Sequence, residues 1–181
     1  MSNGAGSAVD QPRGSFIDSC LMIPEKVRKV LDASGLTVRE FAPGSTATSA
    51  LAAQQLGVTV GQIAKSLLFT GKDGKFFMVL CPGDRRLSNA KLKTVTGLKS
   101  RMASVEEALA ATGFGPGGVC PFGIDAHISV YIDRSLSEYP TIYPAGGTDS
   151  SGVPMTFDRL VAITGGTVGD FLAEAAGEQD K

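Results

Sequence analysis

The chain has 181 residues, 43% of them hydrophobic and 19% charged, a balance that fits one soluble globular domain with a real core. Its net charge is −1, so no global basic field marks it as a general nucleic-acid binder, and any such contact must come from a local patch. Cys20, Cys81 and Cys120 are too few and too widely spaced for a disulfide framework or a paired-cysteine metal site, and a single histidine argues against zinc.

The simplest compartment for such a chain is a reducing cytoplasm. No apolar run reaches the length of a membrane span, and the N-terminus lacks the basic-then-apolar pattern of a signal peptide. Residues 1–19 are small, polar and rich in Gly and Ser, and read as a disordered leader. The folded unit is expected over residues 20–173, followed by a polar tail over 174–181.

In chain order, Pro24 suits the first turn of a helix running to Ser34, with Val27, Val30 and Leu31 as its apolar stripe. Leu36 to Phe41 reads as a strand. Thr46 or Thr48 caps a second helix through Leu56, and Gly57 stops it. An apolar strand then carries Lys65 and ends near Thr70. Gly71-Lys72-Asp73-Gly74 is a hairpin turn, and Lys75 to Cys81 is the returning strand.

Ser88 caps a helix to about Thr96. Lys99 to Ala103 is extended, and Ser104-Val105-Glu106-Glu107 is a capping box for a helix to Thr112. A Gly/Pro-rich loop runs from Gly113 to Gly123. Strands follow at Ile128–Asp133 and Thr141–Ala145, with a helical turn over Ser135–Tyr139 between them. Val153, Met155 and Phe157 alternate as another strand, Asp158 caps a helix to Thr164, and Thr167–Leu172 is the last element. Interleaved strands and short helices with no repeat predict an α/β fold: one compact domain, a mixed barrel-like sheet with short helices outside.

Two stretches draw attention. Period-2 alternation puts Lys65 on one strand face with Ile63, Leu67 and Phe69. A lysine there either meets an anion or snorkels its ammonium into water, and spacing alone favours the second. The loop holding Gly117, Gly118, Val119, Cys120, Pro121 and Phe122 opens with Gly113-Phe114-Gly115-Pro116-Gly117-Gly118, which matches GxGxxG on paper. It follows a helix rather than a strand, so it is no dinucleotide fingerprint, and no Walker A pattern occurs. Its glycines would let successive N–H groups from Gly117 to Cys120 cradle a carbonyl or oxyanion; the plainer alternative is a rigid surface loop.

Cys120 and His127 form a weak nucleophile–base pair on paper, against the commoner roles of a buried packing thiol and a strand-entry histidine. Between Asp84 and Arg101 the bases Arg85, Arg86, Lys91, Lys93, Lys99 and Arg101 face one acid. That stretch is either a solvated helix face or a phosphate-contacting patch without base-specific signal. Near-neutral charge and the lack of a helix-turn-helix argue against sequence-specific DNA binding.

Three segments occur in order: Gln62-Ile63-Ala64-Lys65-Ser66-Leu67-Leu68-Phe69; Gly117-Gly118-Val119-Cys120-Pro121-Phe122-Gly123; and Ile142-Tyr143-Pro144-Ala145-Gly146-Gly147 with Asp158-Arg159-Leu160-Val161-Ala162-Ile163-Thr164-Gly165. Together they resemble the YbaK/EbsC and ProX family, aminoacyl-tRNA deacylases related to the editing domain of bacterial prolyl-tRNA synthetase, over roughly Leu31 to Leu172.

The resemblance implies a compact α/β domain around a mixed β-barrel and hydrolysis, without cofactor or metal, of the ester joining a mischarged amino acid to tRNA. The family's functional lysine falls on Lys65, which would hold the terminal adenosine and its phosphate. Its G-x-x-x-P loop falls on Gly117 and Pro121, with Gly118 beside them, and would bind the aminoacyl carbonyl. Water attacks, helped by the substrate's own ribose hydroxyl.

Thr48, Leu67, Val119, Cys120, Phe122, Ala145 and Gly146 are then the expected substrate-binding residues, and Arg85, Arg86, Lys91 and Lys93 the expected RNA contacts. Aminoacyl-tRNA is the implied partner, with prolyl-tRNA synthetase a candidate second one. The chain departs from Cys-tRNA-specific relatives at Ala145, Thr48 and Gly152, which leaves the amino acid open. A lining of such residues should discriminate by size.

Overall fold

The computed structural model describes residues 22–97 and 99–174. The leader expected over residues 1–19, Cys20 and the tail beyond residue 174 lie outside the described residues. Helix α1 (Glu25–Ala33) buries Val27 and Leu31, one helical turn apart, against the core. A two-residue strand β1 (Arg39–Glu40) follows. Helix α2 (Ser49–Leu56) starts at Thr48, whose hydroxyl accepts from the Leu51 N–H, and buries the small residues Ala52 and Ala53.

A 3₁₀ turn over Val60–Gln62 leads into β2 (Ala64–Gly71), which pairs antiparallel with β3 (Phe76–Pro82). Helix α3 (Asn89–Thr96) is capped by Ser88. Strand β4 (Ser100–Met102) leads to α4 (Val105–Thr112), whose capping box is Ser104 and Glu107. Strand β5 (Ser129–Asp133), a 3₁₀ turn over Arg134–Glu138, β6 (Ser151–Gly152), α5 (Phe157–Thr164) and β7 (Thr167–Gly169) complete the order.

The main sheet runs β4-β2-β3-β5-β7, with β2 antiparallel to both neighbours and the β3-β5-β7 pairs parallel. β3 lies at its centre, and Met78 to Cys81 have no exposed surface. A strand covered on both faces reads as an unbroken apolar run, which is what this one does. Met78 and Leu80 face the larger core with Val27, Leu31, Phe114 and Phe122; Phe77 and Val79 face a smaller one with Phe69, Leu92 and Phe171. The fold is the expected mixed α/β domain. The main sheet is open, with β4 and β7 at its edges, and isolated bridges join Ile63 with Tyr143 and Ile142 with Met155 beyond it.

Three expected elements change. The strand over 36–41 shrinks to β1, because its partner β6 offers only two residues. The strand over 141–145 survives only as those bridges, since Pro144 has no N–H to donate and turns the chain. The Val153–Phe157 alternation is not a strand: Phe157 opens α5, and the cap is Thr156, whose hydroxyl accepts from Arg159 N–H, not Asp158. Asp158 sits exposed in the first turn, where a negative charge suits the helix dipole.

Candidate functional site

Lys65 stands near the start of β2, half-buried, opposite Cys81. Its ammonium reaches a partly exposed position at the protein surface and is held there by backbone groups, not by a carboxylate. It donates to the backbone carbonyls of Gly83 (3.3 Å) and Arg85, in the turn that follows β3. Among the described residues no acid lies within ion-pairing distance of it. Two carbonyls steer the amine, and it stands at the rim of a cleft without an acidic partner.

That cleft has a volume of about 260 Å³. Thr48, Ala52 and Leu56 of α2 form one wall. Ile63, Lys65, Ser66 and Leu67 form the floor, and Gly117 and Val119 bring the Gly/Pro loop to its edge. Tyr143, Ala145, Ser151 and Gly152 close the far side. Among the described residues no aspartate, glutamate, histidine or cysteine lines it. The far side is stiffened by buried hydroxyls: Ser151 N–H donates to Thr46 Oγ1 (3.0 Å), and Ser151 Oγ accepts from Gly146 N–H (3.0 Å) and from Thr148 Oγ1 (2.8 Å).

The loop is wedged rather than loose. Gly117 has φ +77°, and a Cβ there would come within 2.9 Å of the Ala47 Cα and 3.0 Å of the Asp149 Cβ. A Cβ on Gly118 would stand 2.9 Å from the Gly147 carbonyl oxygen. Only glycine allows both the left-handed backbone and the close approach at Gly117. Lys26 of α1 secures the loop's near end: its amine donates to the Thr112 carbonyl and lies 4.2 Å from the centre of the Phe114 ring.

The expected row of donors is shorter than the sequence implied. Gly118 N–H is taken by the Gly115 carbonyl (3.1 Å). The N–H groups of Gly117 and Val119 have no acceptor among the described residues, and both residues line the cleft. Cys120 N–H also lacks one, but Cys120 belongs to the core, as do Pro121 and Phe122, all three buried. Gly118 and Gly146 are buried behind the cleft wall. Pro121 and Phe122 therefore act as the loop's anchor, while Lys65, Thr48, Leu67, Gly117, Val119 and Ala145 come together on the cleft surface.

The thiol alternative does not fit. Burial pushes the Cys120 thiol up to about 12, against the weaker opposing effect of its contact with the Phe122 carbonyl (3.9 Å). His127 is exposed, with Nδ1 2.6 Å from Asp125 Oδ1. Neither residue lines the cleft. Cys81 is likewise pushed up to about 12 by burial.

Of the expected RNA contacts, Arg85, Arg86 and Lys93 are exposed. Arg85 adjoins the rim through its carbonyl bond to Lys65. Lys91 is paired with Asp170 (2.9 Å), and Arg101 with Glu107 (2.8 Å). Sequence reasoning missed Ser66, Tyr143 and Ser151 as lining. Ser66 had a signal in its place beside Lys65, and Tyr143 in its place two residues before Ala145; Ser151 had none, because long-range packing brings it in.

The family model that matches residues 43–163 is that of the aminoacyl-tRNA editing domain. The chain belongs to that family. The match spans both Lys65 and the Gly117–Pro121 loop. The editing domain is 40% identical over 116 residues to the YwhH protein of Bacillus subtilis (strain 168), covering 64% of this chain and 74% of that one. It is 40% identical over 96 residues to the proline–tRNA ligase of Thermosipho melanesiensis, which is 52% of this chain and only 16% of the ligase.

A solved structure proposed to be a trans-editing enzyme for prolyl-tRNA synthetase superposes with a TM-score of 0.75 at 37% identity, covering 84% of this chain and 99% of that one. Among the described residues no helix is long and apolar enough to cross a membrane.

Proposed function

We propose that the protein is an aminoacyl-tRNA deacylase that acts in trans in the cytoplasm, hydrolysing the ester of a small, wrongly attached amino acid on tRNA, with tRNA for proline the leading candidate. One observation carries this reading. A lysine with no acidic partner and two loop residues with unpaired N–H groups border the same small cleft, and among the described residues no cysteine, histidine or carboxylate lines it to act as a thiol nucleophile or to activate its hydroxyls as a base. Such a set suits positioning and oxyanion stabilisation, with water as the attacker.

In this reading the ester carbonyl oxygen accepts from the N–H groups of Gly117 and Val119. Water adds to the carbonyl carbon, assisted by the neighbouring ribose hydroxyl. The carbon–oxygen bond to the ribose breaks, the ribose oxygen leaves with a proton, and free amino acid and uncharged tRNA result. Lys65 holds the phosphate of the terminal adenosine. The cleft selects by size, since Thr48, Leu67 and Ala145 offer it little else. Prolyl-tRNA synthetase, whose charging errors would supply the substrate, is the proposed partner.

The test is a panel of tRNA for proline charged with alanine, cysteine, serine or threonine, incubated with catalytic protein. Release of at least one small amino acid well above the buffer rate, with prolyl-tRNA spared, is expected. Tight binding of the tRNA with no release above buffer from any ester would make this a binding module instead.

A further inference from the structure

A substrate held by its carbonyl and its phosphate still has one charged end, the α-ammonium of the amino acid, and among the described residues nothing acidic lines the cleft to receive it. The floor offers something else. In a strand, residues two apart present their N–H and C=O groups to the same edge. Ala64 N–H donates to the Tyr143 carbonyl (3.2 Å) and the Leu68 carbonyl accepts from Ala103 N–H (2.9 Å), so both groups face the outer edge of β2. Ser66, halfway between them, faces that edge too.

The neighbours on this edge leave a gap. Tyr143 pairs at Ile63, and β4 pairs only from Phe69 to Gly71. Among the described residues, no partner covers the backbone of Ser66 or the carbonyl of Ala64 on that side. The Ser66 hydroxyl is also shielded from solvent without a hydrogen-bond partner. A buried hydroxyl without a partner is rare in folded proteins and calls for an explanation. The gap lies opposite Gly117 and Val119, and Ser66 borders both the 260 Å³ cleft and a second, apolar hollow of about 200 Å³ beside it.

We propose that the open edge of β2 at Ser66 is the recognition site for the substrate's α-ammonium group, with the carbonyls of Ala64 and Ser66 as acceptors and the Ser66 hydroxyl as a third after rotation about one bond. This rests on the hydrolase reading above and adds to it the group that tells an amino-acid ester from other esters. A stretch of three open residues is too short to add a peptide strand, but it is the right size for one ammonium. A buried site that hydrogen-bonds a charged group rejects analogues lacking it, because its own acceptors are then left unpaired.

The experiment compares three esters of one tRNA: alanyl, N-acetylalanyl, and the lactyl ester made by deamination. Each rate is divided by that ester's own rate in buffer, which removes the intrinsic effect of the amine. The alanyl ester is expected to be accelerated about tenfold or more over each of the others. Ser66→Ala is expected to narrow that gap several-fold by slowing the alanyl ester more than the lactyl ester.

Equal acceleration of all three esters by the native protein overturns the inference while leaving the hydrolase intact. Should no ester be released, the hydrolase reading fails. The ammonium question is then answered by binding of non-hydrolysable 3′-alanylamido- and 3′-lactylamido-adenosine, where equal affinities and an unmoved Ser66 amide resonance count against it.

Discussion

Lys65 illustrates what a single side chain can do when its neighbours steer it. Its amine is aimed by the carbonyls of Gly83 and Arg85 and meets no carboxylate among the described residues. Lys65→Ala is expected to lower single-turnover deacylation on the order of a hundredfold, as loss of one positioned electrostatic group does, with the melting temperature nearly unchanged. Cys120 makes the opposite case. Being buried and pushed up to about 12 by desolvation, it should be inert to alkylating reagents in the native state, and Cys120→Ser should keep deacylation within about twofold.

The sequence pointed to both residues but could not assign them. Alternation placed Lys65 on a strand face; it could not say where the amine ends, because Gly83 and Arg85 lie 18 and 20 positions away. The Gly/Pro composition of the loop announced a backbone that approaches something closely. It did not reveal that Gly118 spends its N–H on Gly115, or that Cys120 and Phe122 turn inward.

At the level of elements, the caps were the legible part. Ser88, Ser104 and Thr48 each accept from the N–H three residues on, as a polar residue before an apolar helical stripe should. The short pairings were not legible, since two-residue strands and single bridges carry no periodicity, and the hydroxyl of Thr46 meets Ser151 from 105 positions away.

Helix α4 delivers the chain into the Gly/Pro loop, and its start is fixed by Glu107, which accepts from Arg101 and from Ser104 N–H, all at 2.8 Å. The Arg101 guanidinium first, and the Ser104 N–H second, hold the Glu107 carboxyl down from its ordinary 4.5 to about 2. A carboxylate lowered in the folded state contributes stability that is full above its unfolded value and is lost as pH falls through the folded one, here between about 4.5 and about 2. Urea midpoints followed across that window should therefore fall more steeply for the native protein than for Glu107→Gln, and parallel curves would refute the coupling. In the loop itself, Gly117→Ala forces a side chain into left-handed backbone against Ala47 and Asp149. It should cost about 1–3 kcal/mol in denaturant unfolding and reduce deacylation further than that loss explains.

Over the whole molecule, a net charge of −1 means that tRNA must be held by a few local cations rather than by a general field. Arg85, whose carbonyl holds Lys65, and its neighbour in sequence Arg86 are exposed, whereas Lys91 is tied to Asp170. Replacing both arginines by alanine should weaken tRNA binding and flatten the dependence of log affinity on log salt by roughly one to two, while Lys91→Ala should do less.

The account depends on the fold bringing the outer edge of β2, the Gly/Pro loop and the Lys65 amine to one small cleft. Amide and lysine-amine chemical-shift mapping with a non-hydrolysable 3′-alanylamido-adenosine 5′-phosphate tests this most directly. The account predicts that the strongest perturbations fall on Ser66, Gly117, Val119 and the Lys65 amine. Perturbations centred instead on the distant hollow between Val30, Asp125 and Thr164, with those four groups unmoved, would contradict it.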